Sequence, residues 1–315
     1  MLVFRFCRFV SIRRKSPAVY AGCPRKLSYD PNYHPIFAFM YLTRYFRQLI
    51  GSLISRREQL LVRSYLMPSK HLARDVMVDV YRPALPPWRL LKLAVFNDGQ
   101  DLLKMNLKEQ LQEAYHNNTL EPTVVIGIHA ADRMREFGTV GQLDYQGRGD
   151  QAGAYEQFLL EELLPWVEKY YNVYQLPAKR AIAGFSLGGL SAFDVAWRNP
   201  GEFGVGGVFS GSLWWRSKAF RADKPDADLI VKSYVDRAKK LPAVRYWFMA
   251  GTNDETEDRN GNGIIDAIDD TLQLISLLAA RGGKEGKDFS YHEVKDGKHE
   301  PETWGRVVMD FLRWA

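Results

Sequence analysis

Across 315 residues, 46% are hydrophobic and 25% charged, enough to bury one large core in a single domain. No stretch approaches 18 consecutive apolar residues, which excludes a transmembrane helix. The net charge of +6 sits in residues 1–40, where Arg5, Arg8, Arg13, Arg14, Lys15, Arg25 and Lys26 face only Asp30; beyond them acids and bases balance, so no basic face for a nucleic acid is expected.

In chain order, residues 1–55 form a basic N-terminal extension and 56–315 one folded domain. Both cysteines, Cys7 and Cys23, belong to the extension, so the domain has neither a disulfide framework nor a cysteine metal site. A reducing, cytoplasmic location is expected. Arg5 and Arg8 precede Phe9-Val10, but no apolar h-region follows, which argues against a secretory signal. Tyr20-Ala21-Gly22-Cys23 has the look of a lipoprotein processing site without the apolar run. An alternative places the true start at Met40. Leu42, Tyr45, Phe46, Leu49, Ile50 and Leu53 fall at helical spacing, with Arg44 and Arg47 between them. A basic amphipathic helix over 41–57 follows, packed on the domain or, as the alternative, lying on a membrane surface.

Strands are predicted at Glu58–Leu66 and Asp75–Tyr81, with no helix between them and hence antiparallel. Leu90–Phe96 is a buried strand ending in the turn Asn97-Asp98-Gly99. A helix is predicted over Leu102–Tyr115, a central strand at Thr123–Ile128, and a long helix over Ala152–Tyr171 that Pro165 should kink. The pattern continues with strand Arg180–Phe185, helix Leu187–Trp197, strand Val205–Phe209 and helix Asp228–Lys240. It closes with strand Val244–Ala250, helix Ala267–Arg281, strand Phe289–Val294 and helix Glu300–Trp314. Short apolar strands alternating with helices make an α/β domain, its mostly parallel sheet covered on both faces and bearing an antiparallel N-terminal edge. In such sheets, functional residues lie just beyond the strand ends.

Gly184-Phe185-Ser186-Leu187-Gly188 joins a strand to a helix, the context in which G-x-S-x-G forms a nucleophile elbow. A serine nucleophile needs a base and an orienting carboxylate. After Ser186 only His292 and His299 remain. His292 falls inside a predicted strand, whereas His299 sits in the loop Asp296-Gly297-Lys298-His299, so His299 is the candidate base. The acid should follow Val244–Ala250. There Asp254 is the first choice, with Glu255 and Asp258 as alternatives. The N–H groups of Gln100, after Gly99, and Leu187 are candidates for an oxyanion hole, in which each donor stabilises the transition state by about 3–4 kcal/mol.

With these residues in hand, the chain resembles the putative esterase family of the α/β hydrolases, which includes esterase D-like proteins, enterobactin esterases and bacterial feruloyl esterases. The resemblance runs from about Val62 to Trp314. It rests on Phe96-Asn97-Asp98-Gly99-Gln100, Arg135-Glu136-Phe137-Gly138, Tyr155-x-x-Phe158, Glu162-Leu163-Leu164-Pro165, the elbow through Gly189, Ser210-Gly211-Ser212, Gly251-Thr252-Asn253-Asp254, and Lys298-His299 with Trp304. It implies an α/β-hydrolase fold and a serine carboxylic-ester hydrolase with a small-molecule or carbohydrate-linked ester as substrate, supports Ser186 and His299, and leaves Asp254 and Glu255 both open as the acid. Two other readings stand beside hydrolysis: an acyltransferase using the same acyl-enzyme, and a catalytically silent binding domain.

Trp214 and Trp215, just past a strand end, are candidate walls of a substrate pocket. Asp258, Asn260, Asn262, Ile264 (through its carbonyl), Asp266 and Asp269 have the spacing of an EF-hand loop, with Gly263 at the sharp turn. A structural Ca²⁺ is therefore expected there, although catalysis needs no cofactor; the alternative is a hydrogen-bonded turn capping the helix at Ala267.

Overall fold

The computed structural model describes residues 60–315. The extension expected over 1–55 and the amphipathic helix expected over 41–57 lie outside the described residues. An eight-stranded sheet organises the rest: β1 (Leu60–Ser69), β2 (Arg74–Pro83), β3 (Lys92–Asn97), β4 (Thr123–Ile128), β5 (Arg180–Phe185), β6 (Val205–Phe209), β7 (Arg245–Asn253) and β8 (Phe289–Lys298). The spatial order is β1-β2-β4-β3-β5-β6-β7-β8. As the lack of an intervening helix predicted, β1 pairs antiparallel with β2, and β2 pairs antiparallel with β4. The pairs from β4 through β3 to β8 are parallel. This is the α/β-hydrolase arrangement.

Period-two alternation divides the core into two layers. Leu93, Val95, Ile126, Ile182 and Phe248 face one side, under Tyr155, Phe158 and Leu190. Ala94, Phe96, Val125, Ala183, Phe185 and Trp247 face the other, under Leu111, Val308 and Phe311. The helices are α1 (Leu107–His116), α2 (Arg133–Glu136), α3 (Ala152–Gln157), α4 (Leu164–Tyr170), α5 (Leu187–Arg198), α6 (Ile230–Arg237), α7 (Asp266–Ala280), α8 (Pro301–Gly305) and α9 (Val308–Trp314). No helix among the described residues is long and apolar enough to cross a membrane.

Several boundaries differ from the periodicity reading. The kink expected at Pro165 is replaced by a π-helical stretch, Phe158–Leu163, joining α3 to α4. Proline lacks the N–H of an α-helical bond and crowds the carbonyl four residues back, and a widened turn relieves both. The expected closing helix is two helices, parted at Val307, whose φ of −125° leaves the helical region; just before the break Gly305 packs on the Met105 backbone, where a Cβ would come within 2.8 Å of the carbonyl oxygen. Both β7 and β8 outrun the predicted strands. Asp296, Gly297 and Lys298, expected in a loop, complete β8 across an irregular register in which Asn253 pairs with Lys298. The short α2 went unforeseen; the Asp132 side chain caps it by accepting the Met134 N–H at 3.1 Å.

Candidate functional site

Ser186 stands directly after β5 with φ 55° and ψ −120°, a strained conformation for a residue with a side chain. The turn is possible because its neighbours leave no room for one. A Cβ on Gly184 would lie 2.3 Å from the Gly188 carbonyl oxygen, and one on Gly188 would lie 2.6 Å from Asp98 Oδ2. Asn97 reinforces the turn by donating from Nδ2 to the Gly188 carbonyl at 2.8 Å, and the buried Tyr155 hydroxyl donates to Asn97 Oδ1 at 2.6 Å. Ser186 Oγ lies 3.3 Å from Ser212 Oγ, and the Ser212 N–H donates to the Ser186 carbonyl at 3.0 Å.

The parallel register brings Asp254 and His299 together. Asn253 and Lys298 pair at the ends of β7 and β8, so the next residue of each strand is Asp254 or His299. Asp254 is buried; its Oδ2 accepts the Gly251 N–H at 2.9 Å, while its Oδ1 is buried without a partner. Desolvation pushes the His299 pKa below its usual value; the negative charge of Asp254 pulls it up and the Arg133 guanidinium pushes it down again. Trp304 props the imidazole edge-on, ring centres 5.5 Å apart, and donates from Nε1 to Ser210 Oγ at 3.0 Å. His292 has a different environment: it stacks on Trp247 at 4.7 Å and contacts Ser290 Oγ at 3.0 Å. Glu255, an alternative acid, faces the acidic loop, where desolvation pushes its pKa up to about 7.

Leu187 opens α5 and Gln100 is the second residue of the single 3₁₀ turn Gly99–Asp101, positions whose N–H groups have no acceptor within their own helices. Gly99 packs against the Gly127 backbone, where a Cβ would come within 2.4 Å. The sequence reading missed what lies beneath this turn. Asp98, read as part of the turn Asn97-Asp98-Gly99 and of the motif Phe96–Gln100 but given no role of its own, is fully buried at φ 59° and holds Arg133 in a two-pronged pair at 2.8 and 3.1 Å. Arg133 also donates to the Phe185 carbonyl at 3.3 Å, beside the elbow. Burial raises the Asp98 pKa and the Arg133 charge opposes that rise. No motif spacing links Asp98 to Arg133; β3 and the segment after β4 meet only in the fold.

The two tryptophans separate. Trp214 is 37% exposed and lines a cavity between the loops after β6 and β7. Trp215 is fully buried beneath Gly138 and Gly149, with the Arg148 guanidinium 4.8 Å from its ring, so its part is packing rather than a substrate wall.

The residues expected to bind calcium do share one loop, but their polar atoms have protein partners. Asp258 accepts the N–H groups of Asn262 and Gly263 at 3.1 and 2.8 Å. The Asn260 side chain donates to Asp269 at 2.8 Å, the Asn262 side chain accepts the Ile264 N–H at 2.8 Å, and Asp266 accepts the Arg259 N–H at 3.0 Å. The Arg259 guanidinium sits among Asp226, Asp266 and Asp270. Among the described residues no group of three or more His, Cys, Asp or Glu is disposed to hold a metal ion.

Comparison with known proteins agrees with this architecture. The model of the family described as "Putative esterase" matches residues 69–314. The uncharacterized protein YjcH of Bacillus subtilis is 23% identical over 247 residues, covering 78% of this chain and 93% of that protein. The esterase Rv1288 of Mycobacterium tuberculosis is 39% identical over 57 residues, 18% of this chain and 12% of that one. Among solved structures, a ferulic acid esterase superposes with TM-score 0.61 at 19% identity, covering 82% of this chain and 98% of the other. The enterobactin esterase of Shigella flexneri superposes with TM-score 0.65 at 20% identity, covering 82% of this chain and 59% of that one. At these identities the superpositions speak for the fold, and the family match carries the class: the chain belongs to the Putative esterase family and is a carboxylic ester hydrolase.

Proposed function

We propose that Ser186 is the nucleophile, His299 the general base and Asp254 the acid that orients it. One observation carries this assignment: Asp254 and His299 follow the paired residues Asn253 and Lys298 at adjacent strand ends, and Asp254 has a buried oxygen without a partner. In the reading that follows, the Ser186 hydroxyl turns from Ser212 toward His299, gives its proton to the imidazole and attacks the ester carbonyl. The Gln100 and Leu187 N–H groups donate hydrogen bonds to the oxyanion. Collapse expels the alcohol, which takes the proton from the imidazolium and leaves an acyl ester on Ser186. Water, deprotonated by His299, then releases the acid and restores the serine. No step calls on a metal. The substrate is proposed to be a small-molecule or carbohydrate-linked ester, in line with the ferulic acid and enterobactin esterases of similar fold. A fluorophosphonate probe should label the protein and fail to label Ser186→Ala. Turnover of a short aryl ester should fall by about 10⁶ in Ser186→Ala and His299→Ala, and less than tenfold in His292→Ala. Full turnover in Ser186→Ala would sink the assignment.

A further inference from the structure

The cavity between the loops after β6 and β7 contains a group that ester cleavage at Ser186 does not use. It measures about 470 Å³ and is lined by Tyr145, Trp214 and Phe220 together with Arg216, Glu257 and Arg259. The aromatic residues are partly open to solvent, whereas Arg216 is only 6% exposed. A guanidinium offers five N–H donors. Arg216 engages two of them on main-chain carbonyls at long distances, Nε with Trp214 at 3.4 Å and Nη1 with Pro225 at 3.3 Å. Its Cζ lies 5.4 Å from the centre of the Phe220 ring.

Among the described residues, no carboxylate lies within ion-pair distance of Arg216, and those nearby are occupied. Asp266 is paired with Arg259 at 3.3 Å, and both Asp258 oxygens accept main-chain N–H groups. Desolvation and the like charge of Arg259 lower the Arg216 pKa; Asp270, Asp226 and Asp266, each paired with Arg259, oppose that fall from beyond ion-pair distance without reversing it.

We propose that this cleft is a substrate subsite for a single carboxylate carried on an aromatic or otherwise apolar body, with the carboxylate seated on Arg216. The inference rests on Ser186 as the reacting residue and specifies what the ester carries at its far end. A planar guanidinium matches a carboxylate in two parallel hydrogen bonds, and the aromatic side chains supply the apolar contact that fixes orientation. Reach is compatible with Ser186: Ser212 touches the nucleophile at 3.3 Å, and the four residues from Ser212 to Arg216 span at most about 14 Å.

The test uses full-length Ser186→Ala protein, which binds without turning over. It is titrated with 4-phenylbutyrate and with the neutral 4-phenylbutyramide, followed by calorimetry and tryptophan fluorescence. The acid should bind at least tenfold more tightly than the amide and change the fluorescence. Adding Arg216→Met should reduce acid binding to the level of the amide, and Arg216→Lys should fall between. Equal affinities, no binding of either compound, or a preference that survives Arg216→Met overturns the proposal. If the Arg216→Met protein does not fold, Trp214→Phe replaces it: acid binding must persist while the fluorescence change is lost, and an unchanged signal overturns the proposed location. The titration needs no turnover, so failure of this subsite and failure of the Ser186 mechanism give separate results.

Discussion

Two polar regions lie a few residues apart on the same rim and are built in opposite ways. At the strand ends, groups are left uncommitted: Asp254 Oδ1 is buried without a partner, and the N–H groups of Gln100 and Leu187 start their helices without acceptors there. In the loop from Glu257 to Asp270, charge is internally consumed. Arg259 binds Asp226, Asp266 and Asp270, and Lys232 donates to Asp270 and Gln273, each at 2.7 Å. A buried polar group without a partner is costly and persists where a reaction or a ligand completes it, whereas a satisfied network fixes shape. On the proposed assignment, acidic residues dense in sequence divide into a chemical group and a structural group.

Substitutions should separate the two. The largest expected effect is at Asp254. Asp254→Asn should lower turnover by about 10⁴-fold with little change in melting temperature, since loss of the carboxylate leaves the imidazole disoriented. Glu255→Gln should stay within threefold of the parent, and the reverse pattern would transfer the acid role to Glu255. Next comes Arg259→Met. Removing one partner of a buried charge cluster should destabilise the fold by about 3 kcal/mol, or roughly 6–12 °C in melting temperature, while turnover at a lower assay temperature falls less than tenfold. Chemical denaturation and steady-state kinetics on the same sample decide between shape and chemistry.

A smaller effect concerns pH. In the proposed mechanism His299 must be neutral to accept the serine proton, and its pKa is lowered chiefly by desolvation, with Asp254 opposing and Arg133 assisting. The acid limb of kcat/KM should therefore have its midpoint below about 6.5, the ordinary histidine value. Arg133→Gln removes a cation and should move that limb to higher pH; Asp254→Asn removes an anion and should move its residual activity to lower pH. A limb that ignores both changes would detach His299 from these charges. The smallest effect is expected from Ca²⁺. With Arg259 seated among the acids and Asp258 holding main-chain N–H groups, 1 mM Ca²⁺ should raise the melting temperature by about 1 °C or less, the value for a dissociation constant of 1 mM or weaker. A larger rise that disappears in Asp266→Ala would restore the EF-hand reading of the spacing.

The sheet was legible because its strands are short apolar runs set off by turns; Ser186 follows such a run directly, and Asp254 and His299 are separated from theirs by three and four residues, which β7 and β8 fill. Helix interiors were legible too, but their ends fall at backbone features that periodicity does not encode, such as the non-helical Val307 and the widened turn before Pro165. Arg133 and Asp98 stayed invisible because their pairing joins segments 35 residues apart. The loop spacing from Asp258 to Asp269 could not show that a neighbouring arginine supplies positive charge there. Trp214 and Trp215 are adjacent and chemically identical; only the fold turns one outward and buries the other.

The reach of Arg259 also defines a unit of exchange. Grafting a foreign loop after β7 is an obvious way to retune which ester is accepted. That loop is tied backward to Asp226, ahead of α6, and forward to Asp266 and Asp270 in α7. A graft confined to residues 255–265 would discard the arginine, strand Asp226 and Asp266, and leave Asp270 with Lys232 alone. The transplantable piece is the whole span from Asp226 to Asp270, with β7 travelling inside it.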